Sequence, residues 1–250
     1  MNASGDVVEI SDDIPALMDA AARRFVQLAQ TAVTKRGVFT VALSGGSTPK
    51  RLYTLLATEP GFRDAIPWAK IHFFFGDERH VPPEHADSNF RMASEALFQR
   101  LSGESLHVHR IPAECEVAGE AAARYEVEMR DFFGAHGVSE NGLPRFDLIF
   151  LGMGADGHTA SLFPGSSALT ETAHTVVSTW VEKFKSHRIT LTFPVLNNAA
   201  EVILLVAGAD KAPLIAEVLG HAANIPNYPV QRVRPVNGVK RWMMDKAAAL

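Results

Sequence analysis

Four short runs rich in β-branched and aromatic residues, 38–43 (VFTVAL), 71–75 (IHFFF), 146–151 (FDLIFL) and 201–207 (EVILLVA), are each bounded by Gly, Pro or Asp. Near-continuous apolar runs of this length read as strands buried on both faces. Between them lie stretches with helical spacing of apolar residues, at 14–35, 49–58, 89–101, 117–133 and 212–219. Strands that alternate with helices leave few solutions, because parallel neighbours need crossover connections and the crossovers cover the sheet. The expected fold is α/β, with a mostly parallel sheet covered on both faces. Shorter segments at 107–111, 175–181, 188–193 and 241–244 are further strand candidates, some of them antiparallel at the edge. Residues 134–144 (GAHGVSENGLP) read as a loop. No internal repeat or long linker divides the chain, so one domain spanning 1–250 is the expectation.

The helix starts carry local signals. Ser47 and Thr48 before Pro49 offer an N-cap hydroxyl with proline near the first helical position, and Ser88 is placed to cap the helix that runs through Arg91.

Composition bounds the function. With 28 acidic and 24 basic residues the net charge is −4, against the basic excess of proteins that track nucleic-acid phosphates. Cys115 is the only cysteine, so no intramolecular disulfide forms, and no Cys/His grouping has zinc-site spacing. The first residues, MNASGDVVEISDD, have neither a basic start nor an apolar stretch, and no run approaches 18 apolar residues. The expectation is a cytoplasmic protein without a membrane span or a nucleic-acid partner.

Three strand ends concentrate the chemistry. After the first run comes Ser44-Gly45-Gly46-Ser47-Thr48-Pro49. Glycines allow close backbone approach, and a helix N-terminus presents unpaired N–H groups with partial positive charge, a setting for a phosphate or for a tight turn. The Walker spacing is absent. The second run ends in Gly76-Asp77-Glu78-Arg79-His80, which puts carboxylates and a two-pronged guanidinium where open α/β sheets bind ligands. The third ends in Leu151-Gly-Met-Gly-Ala-Asp156-Gly-His158-Thr-Ala-Ser161-Leu-Phe163-Pro164. This segment contains G-x-G-x-x-G, yet Pro164 interrupts within about two turns, against a dinucleotide fingerprint. It presents His158 as a candidate base beside Asp156, and Ser161 lacks the surroundings of a nucleophile elbow. Farther on, Arg188 and Lys211 place cations near strand ends.

Taken together, SGGSTP at 44–49, FFGDER at 74–79, the 151–164 segment, RITLTFPVLN at 188–197 and the Gly208/Lys211 segment resemble the 6-phosphogluconolactonases of the pentose phosphate pathway, in order and along nearly the whole chain. The wider superfamily includes glucosamine-6-phosphate deaminases. From these the chain departs, with Arg79 where they carry tyrosine and Phe163 where they carry the glutamate used in ring opening. The stretch 183–187 (KFKSH) is one the family often fills with prolines.

The resemblance implies a three-layer α/β/α Rossmann-like domain shared with the deaminases and ribose-5-phosphate isomerase. It also implies hydrolysis of a sugar-phosphate lactone without metal or organic cofactor, by a monomer or small homo-oligomer. His158 then takes a proton from water, with Asp156 or Asp77 orienting it, and an imidazole of ordinary pKa is largely neutral at pH 7. The oxyanion donors lie in the Gly45-Gly46 loop or the 152–157 turn, and Arg79, Arg188 and Lys211 hold the phosphate. A deaminase and a noncatalytic sugar-phosphate sensor are the rivals.

Overall fold

The computed structural model describes residues 5–140, 142–220 and 228–249. In chain order the strands are β1 Val7–Ser11, β2 Phe39–Leu43, β3 Ile71–Phe75, β4 Asp77–Arg79, β5 His107–Val108, β6 Ser139–Glu140, β7 Leu143–Pro144, β8 Leu148–Leu151, β9 Val176–Val181, β10 Ser186–Leu191, β11 Glu201–Val206 and β12 Val239–Asp245. The helices are α1 Ile14–Arg36, α2 Ser47–Thr58, α3 Pro60–Arg63, α4 Asn89–Ala96, α5 Ala118–Ala135, α6 Phe193–Leu196, α7 Ala212–Leu219 and α8 Lys246–Ala249.

Seven strands form a parallel sheet in the order β1-β12-β11-β8-β2-β3-β5. The chain winds outward from β2 through β3 to β5, then returns to the other side of β2 and winds outward through β8, β11 and β12. The reversal falls between β2 and β8, and ligands of open α/β sheets bind in the crevice at such a point, beyond the carboxyl ends of the strands.

The three layers follow from the two-residue period of the strands. Phe39 on β2 and Phe150 on β8 both meet Phe25 of α1, at 5.5 and 6.3 Å between ring centroids. On β3, Phe73 faces Trp68 and Phe98, whereas its neighbour Phe74 faces Phe133 of α5 at 5.5 Å. Adjacent side chains thus feed opposite cores, and β2, β8 and β11 are buried along their whole length. The helix α1 is held by its ends. The Asp13 carboxylate accepts from Ala16 N at 2.8 Å, Gly37 closes it at φ 76, and Leu17, Ala21, Phe25 and Ala29 make one buried stripe.

A smaller antiparallel sheet, β4-β10-β9, sits against the carboxyl edge of the large one. Gly76 is the joint between the two. Its N–H donates to Leu43 O at 2.8 Å in the large sheet, and its carbonyl accepts from Leu191 N at 2.9 Å at the end of β10.

Several expectations need correction. Strand β1 went unread, because as an edge strand it is only half covered and its sequence, VVEIS, is short and mixed. The charged residues that follow the second run, Asp77–Arg79, form a short strand of their own, β4. Segment 241–244 is the middle of a longer strand, parallel to both neighbours. The 134–144 loop contains the β6–β7 hairpin. The helix expected over 89–101 stops at Ala96. Strand 107–111 shrinks to two residues, and 188–193 shifts back to 186–191 because Pro194 opens a helical turn.

Candidate active site

Four loops leave the carboxyl ends of β2, β3, β8 and β11 and surround a cavity of about 550 Å³. Buried tyrosines secure two of these exits, where the backbone leaves its ladder and its polar groups need new partners. Tyr53 of α2 accepts from Ser44 N and donates to Ser44 O, both at 3.0 Å. Tyr125 of α5, on the opposite face, accepts from Phe75 N at 2.8 Å and donates to Phe75 O at 3.2 Å. Burial pushes both phenols up, so they stay protonated donors.

The first loop enters α2 by a route other than the one expected. The N-cap is Gly46, at φ 109, and neither Ser47 nor Thr48 caps the helix with its hydroxyl. The first helical bond runs from Lys50 N to Gly46 O, which leaves the N–H groups of Ser47 and Thr48 without a helical partner at the cavity wall. Gly45 has no room for a side chain, since a Cβ there would lie 1.8 Å from the Asn89 amide oxygen. Ser44 Oγ is buried at the cavity wall without a hydrogen-bond partner among the described residues.

The loop after β8 builds the imidazole's seat. Gly154 N donates to His158 O at 2.9 Å, and a Cβ on Gly154 would fall 2.0 Å from the ring. Gly157 turns at φ 72 against the Tyr228 ring. Ala160 is held in the left-handed region at φ 47, a conformation that costs about 1 kcal/mol outside glycine. Phe163 stacks on His158 with ring centroids 4.0 Å apart. His158 Nδ1 is hydrogen-bonded to Asp156 Oδ1, which also accepts from His158 N at 3.2 Å. With a carboxylate on Nδ1, the proton resides there and Nε2 keeps its lone pair. Partial burial works against the Asp156 charge, yet the bond to His158 holds this carboxyl below the usual carboxylate range.

The other carboxylate has another task. Asp77 is buried and accepts from Ser161 Oγ at 2.6 Å through Oδ2, while Asn89 Nδ2 donates to Asp77 O at 2.9 Å. Of the two aspartates left open by the sequence, Asp156 is therefore the one bonded to the imidazole. Glu78 points away from the cavity and receives Arg79 N, Asn89 N and Phe90 N at 2.7–2.8 Å together with Ser88 Oγ at 3.1 Å. It pins the start of α4, where Ser88 Oγ accepts from Arg91 N as expected. Burial pushes the Glu78 carboxyl up, opposed by those three N–H donors.

Arg79 and Arg188 face each other directly across the β4–β10 pair. Like charges in register are unfavourable, and burial followed by the nearby Arg79 depresses the Arg188 guanidinium. Arg79 is steadied by Asp87 O at 3.0 Å and by Asn89 Oδ1. Lys211, with Asp210 at 3.2 Å, reaches the same cavity from the loop after β11.

Every site residue expected from the sequence, Ser44 to Thr48, Asp77, Arg79, His158, Arg188 and Lys211, lines this cavity, with Asp156 behind His158. Asn89 and Phe184 also line it and went unread as site residues, and so does Phe163, which the sequence singled out only as standing at the deaminases' glutamate position. Asn89 looks like an ordinary first helical residue after a serine cap, and only the fold carries it to Arg79 and Asp77.

A cavity at the switch point of a parallel sheet, with a carboxylate-held imidazole at one side and two facing guanidiniums at the other, defines an α/β protein equipped for proton transfer on a small anionic ligand. Comparison with known proteins narrows that class. The family model for glucosamine-6-phosphate isomerases/6-phosphogluconolactonase matches residues 12–242, and the chain belongs to this family. It is 39% identical over 241 residues to the 6-phosphogluconolactonase of Nostoc sp., covering 96% of each chain. With the Synechocystis sp. 6-phosphogluconolactonase it shares 42% over 217 residues, 87% of this chain and 86% of the relative. A solved structure of 6-phosphogluconolactonase from Trypanosoma cruzi superposes with a TM-score of 0.85 at 30% identity, covering 100% of this chain and 97% of that one.

Proposed function

We propose that this chain hydrolyses 6-phospho-D-glucono-1,5-lactone to 6-phospho-D-gluconate, with His158 as general base. The observation that carries this reading is the placing of both ends of such a substrate on one cavity: Nε2 of an Asp156-held imidazole, and the facing pair Arg79 and Arg188. Water attacks the lactone carbonyl carbon as His158 Nε2 takes its proton. The tetrahedral intermediate collapses with cleavage of the bond to the ring oxygen, which receives that proton from the imidazolium. The product acid then releases one proton to solvent.

The negative oxygen of the intermediate needs N–H donors, and the Gly45-Gly46 loop and the 152–157 turn both border the cavity. Arg188, Arg79, Lys211 and the α2 N-terminus supply positive charge for the phosphate dianion, which also relieves the repulsion between the arginines. Binding that remote group fixes the carbonyl against Nε2, so unphosphorylated lactones are poor substrates. Asp77, engaged by Ser161, orients the 158–161 segment from below.

Deamination of glucosamine 6-phosphate is the second reading. It is disfavoured because the ring face of His158 is covered by Phe163, where the deaminases carry a glutamate. We place the enzyme in a reducing cytoplasm, in keeping with its free Cys115, as a monomer or small homo-oligomer.

The deciding experiment follows proton release from freshly made 6-phosphoglucono-δ-lactone, corrected for spontaneous opening. Catalysed acidification, with no ammonia from glucosamine 6-phosphate, is expected. Binding of the lactone without acidification overturns the enzymatic reading.

A further inference from the structure

The turn between β9 and β10 stands beside the His158–Asp156 pair and has no part in the chemistry above. It is one tight helical turn, Glu182–Phe184, closed by Lys185 at φ 48, whose ammonium pairs with Glu182. Its two outward residues reach the site. Lys183 Nζ lies 3.9 Å from Asp156 Oδ2, the oxygen that His158 leaves free. Phe184 packs edge-on to Phe163 with centroids 5.9 Å apart, and Phe163 is the ring on which His158 lies. On its other side Phe184 carries the Arg188 guanidinium, 5.1 Å from the ring centroid. Phe184 remains 47% exposed although it lines the cavity, an unusual cost for a large apolar ring.

We infer that Lys183 and Phe184 are positioning residues for the reaction, which set the orientation and charge state of the His158–Asp156 pair and tie it to Arg188; this inference rests on His158 being the base. Asp156 is bonded to the ring and its backbone through one oxygen, and an ammonium near the other favours that orientation of the carboxylate. An ammonium beside the pair also opposes a second positive charge on the imidazole. Phe184 supplies the mechanical half, since it packs edge-on to the ring against which His158 stacks. Among the described residues, the other charged groups lining this space are Asp77 and Arg79 on β4, Asp87 beyond it, Arg188 on β10 and Lys211 after β11. Behind the loop, Tyr228 meets Gly157 and gives its hydroxyl to Glu217.

The test compares pH profiles of kcat and kcat/KM at low salt for the intact chain and its variants. In Lys183→Met the acidic limb is expected to move to higher pH by about half a unit, because the opposing charge is gone. Lys183→Arg restores the original limb. Added salt moves the unmodified enzyme toward the Lys183→Met profile, since Lys183 is exposed and its field is screened. In an Asp156→Asn background, Lys183→Met still moves the limb in the same direction, because the ammonium's field acts on the imidazole whether or not the carboxylate is charged. Phe184→Ala lowers kcat by roughly tenfold with little change in KM, and Phe184→Tyr recovers it. Superimposable profiles for Lys183→Met and the unmodified chain overturn the inference. A dead His158→Ala variant together with an unmoved limb removes this inference alone, whereas an active His158→Ala variant removes the proposed base itself.

Discussion

Two groups of histidines sit on the same sheet and do opposite things. At the carboxyl edge His158 stands alone among glycines, with a carboxylate on one nitrogen and a cavity at the other. At the β3–β5 edge His72, His107, His109 and the nearby His136 crowd together. His72 stacks on His107 at 4.4 Å, donates to or accepts from His109 Nε2 at 3.0 Å and lies 5.5 Å from His136. There the imidazoles act as packing, layered with Phe132 and Phe74. Burial first, then the three neighbouring rings, push His72 down to about 4, so His72 is built to stay neutral. The other nitrogen of His109 is hydrogen-bonded to Glu128 at 2.7 Å, so the chain of bonds ends on a carboxylate. The difference teaches that what an imidazole can do is set by its partner and by an open face, whereas its count in a sequence carries little.

The comparison is open to direct attack. Its largest expected consequence is that His158→Ala lowers kcat by about 10²–10⁴-fold with small change in KM or melting temperature, read by steady-state kinetics and thermal unfolding. His72→Phe, by contrast, leaves the steady-state parameters near those of the unmodified enzyme, and a comparable loss of turnover there breaks the distinction. Next in size, Arg188→Ala raises KM for the phosphorylated lactone roughly 10–100-fold, as expected for a lost charge-assisted phosphate contact, and narrows the preference over unphosphorylated lactone. A KM within twofold of normal removes Arg188 from the phosphate site.

The smallest effect lies at the histidine edge and is one of stability. Because the folded state holds His72 at about 4 and the unfolded chain at about 6.5, only the unfolded chain takes up a proton between these values. Stability is therefore full above pH 6.5 and falls as the pH drops toward 4, by about 1–2 kcal/mol after allowance for solvent at this edge. Urea midpoints at pH 7 and pH 5 measure it. The decline between the two is expected to be shallower in His72→Phe, and equal declines in both chains sink the assignment.

How much of this was legible beforehand depended on where the physical signal resides. Strands β2, β3, β8 and β11 announce themselves because burial on both faces demands uninterrupted apolar runs. Strands β1 and β4 escape notice, one because an edge strand is half solvated and the other because its three residues are charged and buried by partners from β10 and α4. The site residues on glycine-bounded strand ends were readable for the same reason as the strands. Asn89 was not, since its role consists of reaching Arg79, Asp77 and the space above Gly45.

Local chemistry along the chain determined the alternation of strand and helix, the glycines that clear room for the imidazole, and the kinds of side chain delivered to the sheet's rim. Those are properties of neighbouring residues and of the period with which apolar side chains recur. Only the tertiary structure decided that Asp156 rather than Asp77 is bonded to His158, that Arg79 and Arg188 stand opposite one another, and that a turn some 25 residues from His158 brings Lys183 beside that pair. Such choices rest on distances between segments far apart in sequence, set by strand order and register, and no local pattern encodes a distance across a sheet.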